Sequence, residues 1–148
     1  MLAIGKVTYV LKKQEDNRVR HFLVLDTGLA CVFETRKPLK LKGRTVKVEG
    51  LPFRDRKGRI ILKVSRLSFL EGFRKGRVYL KGKVIKRFLS YSDEEKTREF
   101  LLIEDENGKK IPVEAWNAPS GRSFSIEGYI KDDIVSGQIV KALKVQQI

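Results

Sequence analysis

The sequence predicts an all-β protein made of two tandem five-stranded barrels. Four blocks of the first half recur in the same order in the second half, at an offset of 77 or 78 residues. Val, Ile, Phe, Tyr and Thr are concentrated in short runs that Gly, Asn, Asp and Pro separate, which is typical of strands and turns. No segment carries the i, i+3, i+4, i+7 apolar stripe of an amphipathic helix.

The repeated blocks indicate an internal duplication, since repeats at one period mean that a structural unit is present more than once. The matching pairs are 5–7 with 82–84, 22–28 with 100–108, 43–50 with 121–128, and 63–67 with 141–145. Four matches in one order and at a nearly constant offset favour two copies of a single unit. We therefore divide the chain into a first barrel at 1–70, a linker at 71–76 and a second barrel at 77–148.

Each copy is expected to contain five strands in the same order. In the first copy they lie near 3–12, 19–27, 29–35, 44–51 and 59–69. In the second copy they lie near 78–89, 98–105, 109–116, 122–130 and 137–146. A loop is expected over 89–99. The linker reaches only about 20 Å, and a barrel of this size is marginally stable alone, so we expect the two barrels to pack together.

The composition excludes several classes of protein. Of the 148 residues, 41% are hydrophobic and 34% are charged, which is typical of globular proteins. The chain has one cysteine and one histidine. A secreted protein stabilised by disulfides is therefore not expected, and these two residues alone are too few to bind zinc. No apolar run approaches the ~18 residues of a membrane span, and the first residues do not resemble a signal peptide. We expect an intracellular protein, nucleoid-associated in the cytoplasm or nuclear, with no cofactor and no metal.

The net charge indicates a polyanionic partner. The chain has 32 Lys and Arg against 18 Asp and Glu, a formal net charge of +14. Such a field attracts polyanions, and a pI near 10 is typical of nucleic-acid-binding domains. Heat-adapted proteins are also rich in charge, but heat adaptation enriches both signs. The excess is concentrated in residues 1–70, which have 17 basic and 6 acidic residues, whereas residues 71–148 have 15 and 12.

The motifs and their order resemble the oligonucleotide/oligosaccharide-binding (OB) fold. They comprise a Gly-x-Val first strand, an Asp and Gly turn after the second strand, and a Gly-x-x-Val-x-Val-x-Gly fourth strand. The resemblance is closest to the OB modules of replication protein A and of tRNA-anticodon-binding domains. The second copy matches at Phe100, Asp105, Gly108 and Trp116. The first copy departs from the pattern, because its turn at 26–28 is a residue shorter and Thr35-Arg36 stands where Ala115-Trp116 stands. Two SH3-like barrels are the main alternative fold.

The resemblance implies that unpaired bases stack on aromatic rings of strands two and three while a basic groove follows the phosphates. Side chains alternate between the two faces of a strand. In the second copy, Ile111, Val113 and Ala115 share the inner face, so Trp116 is expected to point outward. On strand two, Phe22 and Phe100 fall on the outer face. The orientation of Phe33 stays open, since two alignments of its strand place it on opposite faces.

Two basic segments are expected to close over this surface. The segment 51–59, Leu-Pro-Phe-Arg-Asp-Arg-Lys-Gly-Arg, places four cations and Phe53 where the loop between strands four and five is expected. The loop between strands one and two is also basic. We therefore expect the first barrel to make the main phosphate contacts, and the second barrel to add Trp116, Lys83 and Arg87 or to serve as a packing and partner surface.

The sequence thus predicts a non-enzymatic protein that binds single-stranded nucleic acid, DNA more than RNA, as an accessory in replication or repair. No nucleophile with a neighbouring base and no phosphate-binding or metalloprotease motif is present in the sequence. Alternatives are an OB-fold adaptor that assembles proteins in a nucleic-acid complex, and a protein that coats duplexes by charge alone. The candidate binding residues are Lys6, Lys12, Lys13, Arg20, Phe22, Phe33, Arg36, Lys37, Phe53, Arg54, Arg56, Lys57, Arg59, Lys83, Arg87, Phe100 and Trp116.

Overall fold

Strands joined by turns and irregular segments make up the part of the chain that the structure, a computed structural model, describes. These residues are 1–72, 74–91, 97–116 and 118–148, without the side chains of 89–91, 97 and 98. The strands are β1 (Leu2–Glu15), β2 (Arg18–Leu25), β3 (Ala30–Thr35), β4 (Thr45–Arg54), β5 (Ile60–Leu70), β6 (Arg77–Tyr91), β7 (Thr97–Glu104), β8 (Lys110–Trp116), β9 (Ser123–Asp133) and β10 (Gly137–Gln147). Over these ranges there is no helix of the length and hydropathy needed to cross a membrane.

The first five strands close into a barrel. β1 pairs antiparallel with both β2 and β4, β2 pairs antiparallel with β3, and β4 pairs antiparallel with β5. A parallel contact between β3 and β5 completes the ring. A five-stranded barrel closed in this order is consistent with the OB fold.

The second five strands repeat this set of pairings. β6 pairs with β7 and β9, β7 with β8, and β9 with β10, all antiparallel, while β8 and β10 are parallel. The irregularities recur as well: the β1–β2 register skips Thr8 and the β6–β7 register skips Ile85. Likewise, Ser65 is skipped opposite β4 and Leu143 opposite β9. The sequence repeat is therefore matched by a repeat of strand order and of bulges.

The core consists of the inward-facing side chains of these strands together with Leu29 and Leu41 of the connecting segments. β9 shows the expected alternation, with Phe124, Ile126 and Ile130 buried and their neighbours partly exposed. Burying alternate apolar side chains stabilises a strand by about 1.5–3 kcal/mol for each one. Cys31 lies in this core, and burial raises the pKa of its thiol to about 12.

The two halves, 1–70 and 77–148, share hydrogen bonds. Ala3 of β1 pairs with Val78 of β6, so the two rings belong to one ten-stranded sheet. The Ile130 amide also donates to the Thr27 carbonyl over 2.9 Å. The contact expected from the short linker is present, while position 73 of that linker lies outside the described residues.

The predicted strands are all present, but three of them continue three residues further than expected. β1 and β2 stay paired as far as Glu15 and Arg18, so a two-residue turn at 16–17 replaces the predicted loop. Asp16 takes up the positive φ of 51° that such a turn requires. β4 likewise continues to Arg54 and β9 to Asp133. Of the loop predicted over 89–99, residues 92–96 lie outside the described part of the chain.

Candidate nucleic-acid interface

An exposed apolar surface covers the outside of the first half, and we call it the first platform. It comprises Tyr9 and Leu11 of β1, Phe22 and Val24 of β2, and Val32 of β3. The register places Tyr9 opposite Val24, Leu11 opposite Phe22, and Phe22 opposite Val32, so all five share one face. Tyr9 is 52% exposed and Leu11 is 57% exposed. Soluble proteins rarely leave such side chains in one patch without a binding role.

The ring pair Tyr9–Phe22 sets the geometry of the first platform. The ring centroids are 6.4 Å apart and the planes are inclined by 76°, an edge-to-face arrangement. Such a pair of rings contributes about 0.5–1.5 kcal/mol of stabilisation in addition to the burial of apolar surface, and this holds the two rings in position. Phe22 is half-buried beneath Tyr9, which leaves the Tyr9 ring as the accessible surface for a stacking base.

The same outer face continues across β5 and β4. Val32 lies beside Lys63, and Phe53 lies opposite Ile61. Phe53 therefore belongs to strand β4 and to the outer face of the sheet, and its expected place in a loop is wrong. The reason is that the β4–β5 pairing continues to Arg54 and Ile60 before the chain turns.

Cations border the first platform at the β1–β2 turn. Arg18 and Arg20 lie 3.6 and 3.3 Å from the two Glu34 oxygens, and Lys13 lies 3.2 Å from Glu15. These side chains are largely exposed, and exposed ion pairs contribute only about 0–1 kcal/mol. A phosphate arriving here can therefore compete with the carboxylates for the same cations.

The second half carries a corresponding outer surface, the second platform. It comprises Phe88, Phe100, Leu102, Pro112 and Trp116, which the β6–β7 and β7–β8 registers place on one face. Trp116 is 41% exposed. A shallow groove beside its ring is lined by Pro119, Lys141, Leu143, Lys144 and Val145. The outward orientation predicted for Trp116, Phe22 and Phe100 is confirmed.

Phe33 faces inward, so its predicted role on the outer surface is not supported. It pairs with His21 and stacks on that ring, with centroids 4.8 Å apart and planes inclined by 19°. The parallel contact with β5 shows that Phe33 corresponds to buried Ala115 and that Glu34 corresponds to Trp116. The alignment of Thr35-Arg36 with Ala115-Trp116 is therefore wrong. The β2–β3 hairpin is four residues shorter than the β7–β8 hairpin, since Val24 pairs with Ala30 whereas its equivalent Leu102 pairs with Pro112.

His21 is itself buried on the inner face of β2. Its Nε2 lies 2.8 Å from the Thr35 hydroxyl, which donates its own proton to the Lys37 carbonyl. The imidazole must then donate through Nε2, which leaves Nδ1 unprotonated and without a partner among the described residues. Burial and the charge of Lys12 lower the pKa of His21.

The basic hairpin 54–59 is only partly free to bind phosphate. Arg54 donates to the Ser136 carbonyl of the other half over 2.6 Å, and Arg59 pairs with Asp55 over 2.6 Å. The amides of Arg59 and Lys57 also donate to Asp55, and the bond from Arg59 is the main cause of its lowered pKa. Arg56 and Lys57 keep exposed side chains with no acidic partner in the described ranges, so these two remain as the candidate cations of the hairpin.

Arg87, predicted as a phosphate contact, makes several contacts within the chain. Its guanidinium donates to the Pro119 and Gly121 carbonyls over 3.3 and 2.8 Å, lies 3.5 Å from Glu99, and covers the Phe124 ring at 5.4 Å. Arg87 sits opposite Leu101 on the inner face of β6, where it closes the end of the second barrel-like ring. These contacts hold the Arg87 side chain in place, although the residue remains exposed at the surface.

The remaining predicted cations are exposed but dispersed. Lys6 and Lys83 lie near the turns that follow β2 and β7, at the opposite end from the β1–β2 turn. Arg36 and Lys37 follow β3 directly, and Lys12 lies on the β1 face that does not carry the platform. Only some of the predicted residues therefore converge on the two platforms.

Sequence reasoning missed Tyr9, Leu11 and Phe88. Tyr9 and Leu11 are two positions apart on β1, and Phe88 corresponds to Leu11 at the offset of 77. The period of two on the first strand of each copy was the available signal. Within the described ranges, no group of three or more His, Cys, Asp or Glu side chains lies close enough to hold a metal ion.

The strand order defines an all-β protein with a closed OB-type barrel, and comparison with known proteins agrees with that class. No protein-family model and no curated protein matches the sequence. Among solved structures, the single-stranded DNA binding protein from Thermus aquaticus is similar over 99% of this chain and 91% of that chain, with a TM-score of 0.68 and 17% identity. A deletion mutant of the same protein is similar with a TM-score of 0.66 and 16% identity, over 99% of this chain and 92% of that chain. At these identities the likeness concerns the fold.

Proposed function

We propose that this protein binds single-stranded DNA on its two platforms, without catalysing a reaction, as an accessory to replication or repair. The observation that carries the proposal is the exposed Tyr9 ring, supported edge-on by Phe22 on the outer face of a closed five-stranded barrel. Aromatic rings on this face of an OB fold stack unpaired bases at about 1–3 kcal/mol for each base.

We also propose that the ten strands form two OB-fold barrels that arose by duplication, with residues 1–70 and 77–148 as the units. The repeated pairings and the repeated bulges support this division. Each unit would then offer one platform, and a strand crossing both would contact more nucleotides than one barrel accommodates.

The difference in net charge suggests that the two halves contribute differently to DNA binding. Residues 1–70 carry a net charge of +11 and residues 71–148 carry +3. In the second half, Glu114 lies on the same face as Phe100, and Lys131 is 3.5 Å from its carboxylate. The first platform would therefore supply most of the phosphate contacts, and the second would contribute chiefly through Trp116 and Phe88.

A competition panel tests the proposal. Single-stranded DNA, single-stranded RNA and duplex DNA of equal length are titrated by fluorescence anisotropy at two salt concentrations. We expect single-stranded DNA to bind most tightly, with log K falling against log salt by about 0.7 for each phosphate contacted. Equal affinity for duplex and single strand would favour coating by charge. Preference for RNA would mean that the ligand is RNA instead of DNA. No affinity for any strand at low salt would refute the proposal and favour an adaptor role.

A further inference from the structure

Two hairpin tips lie side by side where the halves meet. The first tip, 54–59, joins β4 to β5, and the second, 132–137, joins β9 to β10. The Gln138 amide donates to the Gly58 carbonyl over 3.1 Å, and Arg54 donates to the Ser136 carbonyl over 2.6 Å. A Cβ at Gly58 would collide with the Ser136 carbonyl, and one at Gly137 would collide with the Lys57 carbonyl. The two tips therefore form one closely packed edge.

The two tips occupy equivalent positions but carry opposite chemistry. At the repeat offset of 78, Arg56 corresponds to Ile134 and Lys57 corresponds to Val135. Ile134 is 104% exposed and Val135 is 94% exposed, the largest values among the described hydrophobic side chains. These two residues bury nothing within the chain, so folding alone does not account for their apolar character.

The second tip is also held in a defined conformation. The Ser136 amide and hydroxyl both donate to the Asp133 carboxylate, over 2.9 and 2.6 Å. With the backbone of 136–138 bonded to the first tip, the Ile134 and Val135 side chains are presented on a supported turn. A supported apolar protrusion loses little conformational freedom when it meets a ligand.

The shape and charge of the edge restrict the ligand. Peptides are usually recognised by grooves or by free sheet edges, whereas this apolar tip is convex and fully exposed. Convex aliphatic side chains are suited to pack against the flat face of a base, as the apolar wedges of DNA-binding proteins do. The neighbouring Arg56 and Lys57 are exposed and can contact phosphates. The two carboxylates of the second tip, Asp132 and Asp133, accept hydrogen bonds from Gln138 and Ser136. A ligand with an apolar face beside a phosphate chain fits both tips.

Building on the proposed single-strand binding, we propose that the paired tips bind the junction at which a single strand enters a duplex. Ile134 and Val135 cover the exposed face of the terminal base pair. Arg56 and Lys57 contact phosphates of the strand that leaves the duplex toward the first platform. The protein then prefers a tailed duplex over a free single strand of the same tail length.

Anisotropy titrations with three labelled DNAs test this inference: a single strand, a duplex with a tail of the same sequence, and the blunt duplex. Partial burial of the two tip side chains corresponds to about tenfold tighter binding of the tailed duplex. The double variant Ile134→Ser/Val135→Ser is expected to lose that preference and to bind the single strand as the natural chain does. Ile148→Ser, which changes an exposed apolar residue elsewhere, serves as the matched control and should change neither affinity.

The outcomes separate this inference from the proposed function. Equal affinity for the single strand and the tailed duplex overturns the junction inference and leaves single-strand binding in place. A blunt duplex that binds as tightly as the tailed one also overturns it, since charge then suffices. No binding to any DNA overturns both proposals. If an acidic peptide with aromatic residues binds in a manner that Ile134→Ser/Val135→Ser abolishes, and no junction preference exists, the tip contacts a protein instead.

Discussion

Removing the Tyr9 ring tests the first platform most directly. In Tyr9→Ala the accessible half of the ring pair is removed, while Phe22 remains half-buried on β2. Stacking of one base contributes about 1–3 kcal/mol, so single-stranded DNA affinity should fall by about 5- to 150-fold. The free energy of unfolding should fall by only about 0.5–1.5 kcal/mol, the contribution of one aromatic pair. Circular dichroism melting checks that the variant remains folded.

Salt dependence shows whether that decrease in affinity is due to stacking. Stacking releases no counterions, so the slope of log K against log salt should be the same in Tyr9→Ala and in the natural chain. In Arg56→Ser/Lys57→Ser the slope should instead become shallower by about 0.7 for each phosphate that the variant no longer binds. Anisotropy titrations over a series of salt concentrations measure both effects.

Two further variants make the test specific. Tyr9→Phe keeps the ring and should retain most of the affinity. Tyr79→Ala removes a tyrosine that is 36% exposed and lies next to the β1–β6 junction, outside both platforms, and it should bind normally. The reasoning is refuted if Tyr9→Ala binds as tightly as the natural chain, or if Tyr79→Ala is weakened to the same extent.

Three other predictions follow from the structure. Trp116 is the sole tryptophan, so binding of single-stranded DNA should quench the protein's tryptophan fluorescence, and an unchanged emission spectrum would contradict this. Trp116→Ala should weaken the binding, whereas Trp116→Phe should retain it. Gly58→Ala should lower the free energy of unfolding in urea by about 1–3 kcal/mol more than Gly72→Ala does. Both glycines have a φ of 78°, but only Gly58 contacts the other half of the chain. Equal losses of unfolding free energy would mean that the paired tips contribute nothing to stability. Because the pKa of His21 is lowered on folding, the unfolded chain takes up the proton more readily, and stability should fall as the pH drops below 6.5, by up to about 1.4 kcal/mol at one unit lower. His21→Gln should flatten this part of the urea-midpoint profile, and an unchanged slope would exclude His21 as its source.

Parity along a strand was sufficient to orient several of the candidate residues. Phe22, Phe100 and Trp116 lie on the outer face because the inner positions beside them are aliphatic or small, and that alternation is visible in the sequence. Phe33 could not be oriented in the same way. Its face depends on how β3 is aligned with β8. The β2–β3 hairpin is four residues shorter than the β7–β8 hairpin, so the two copies could be aligned there only once the strand pairings were known.

Partners of the charged residues were much less predictable. Arg54 and Arg87 are predicted as phosphate contacts because exposed cations at strand ends are common at such interfaces. The structure directs Arg54 to Ser136, 82 positions away, and Arg87 to Pro119 and Gly121. A long flexible side chain finds a carbonyl acceptor by proximity in space, and a single sequence contains no measure of that proximity.

The sequence by itself determined the strands, the repeated blocks and the positive charge, because turn chemistry, a side-chain period of two and residue counts can be read along the chain. Only the tertiary structure decided how the two copies share a sheet through Ala3 and Val78, and that the cationic and apolar hairpins stand side by side. The meeting of the hairpins depends on close backbone approach at Gly58 and Gly137. Each glycine alone would suit an ordinary turn, and their meeting becomes apparent only once both halves have folded against each other.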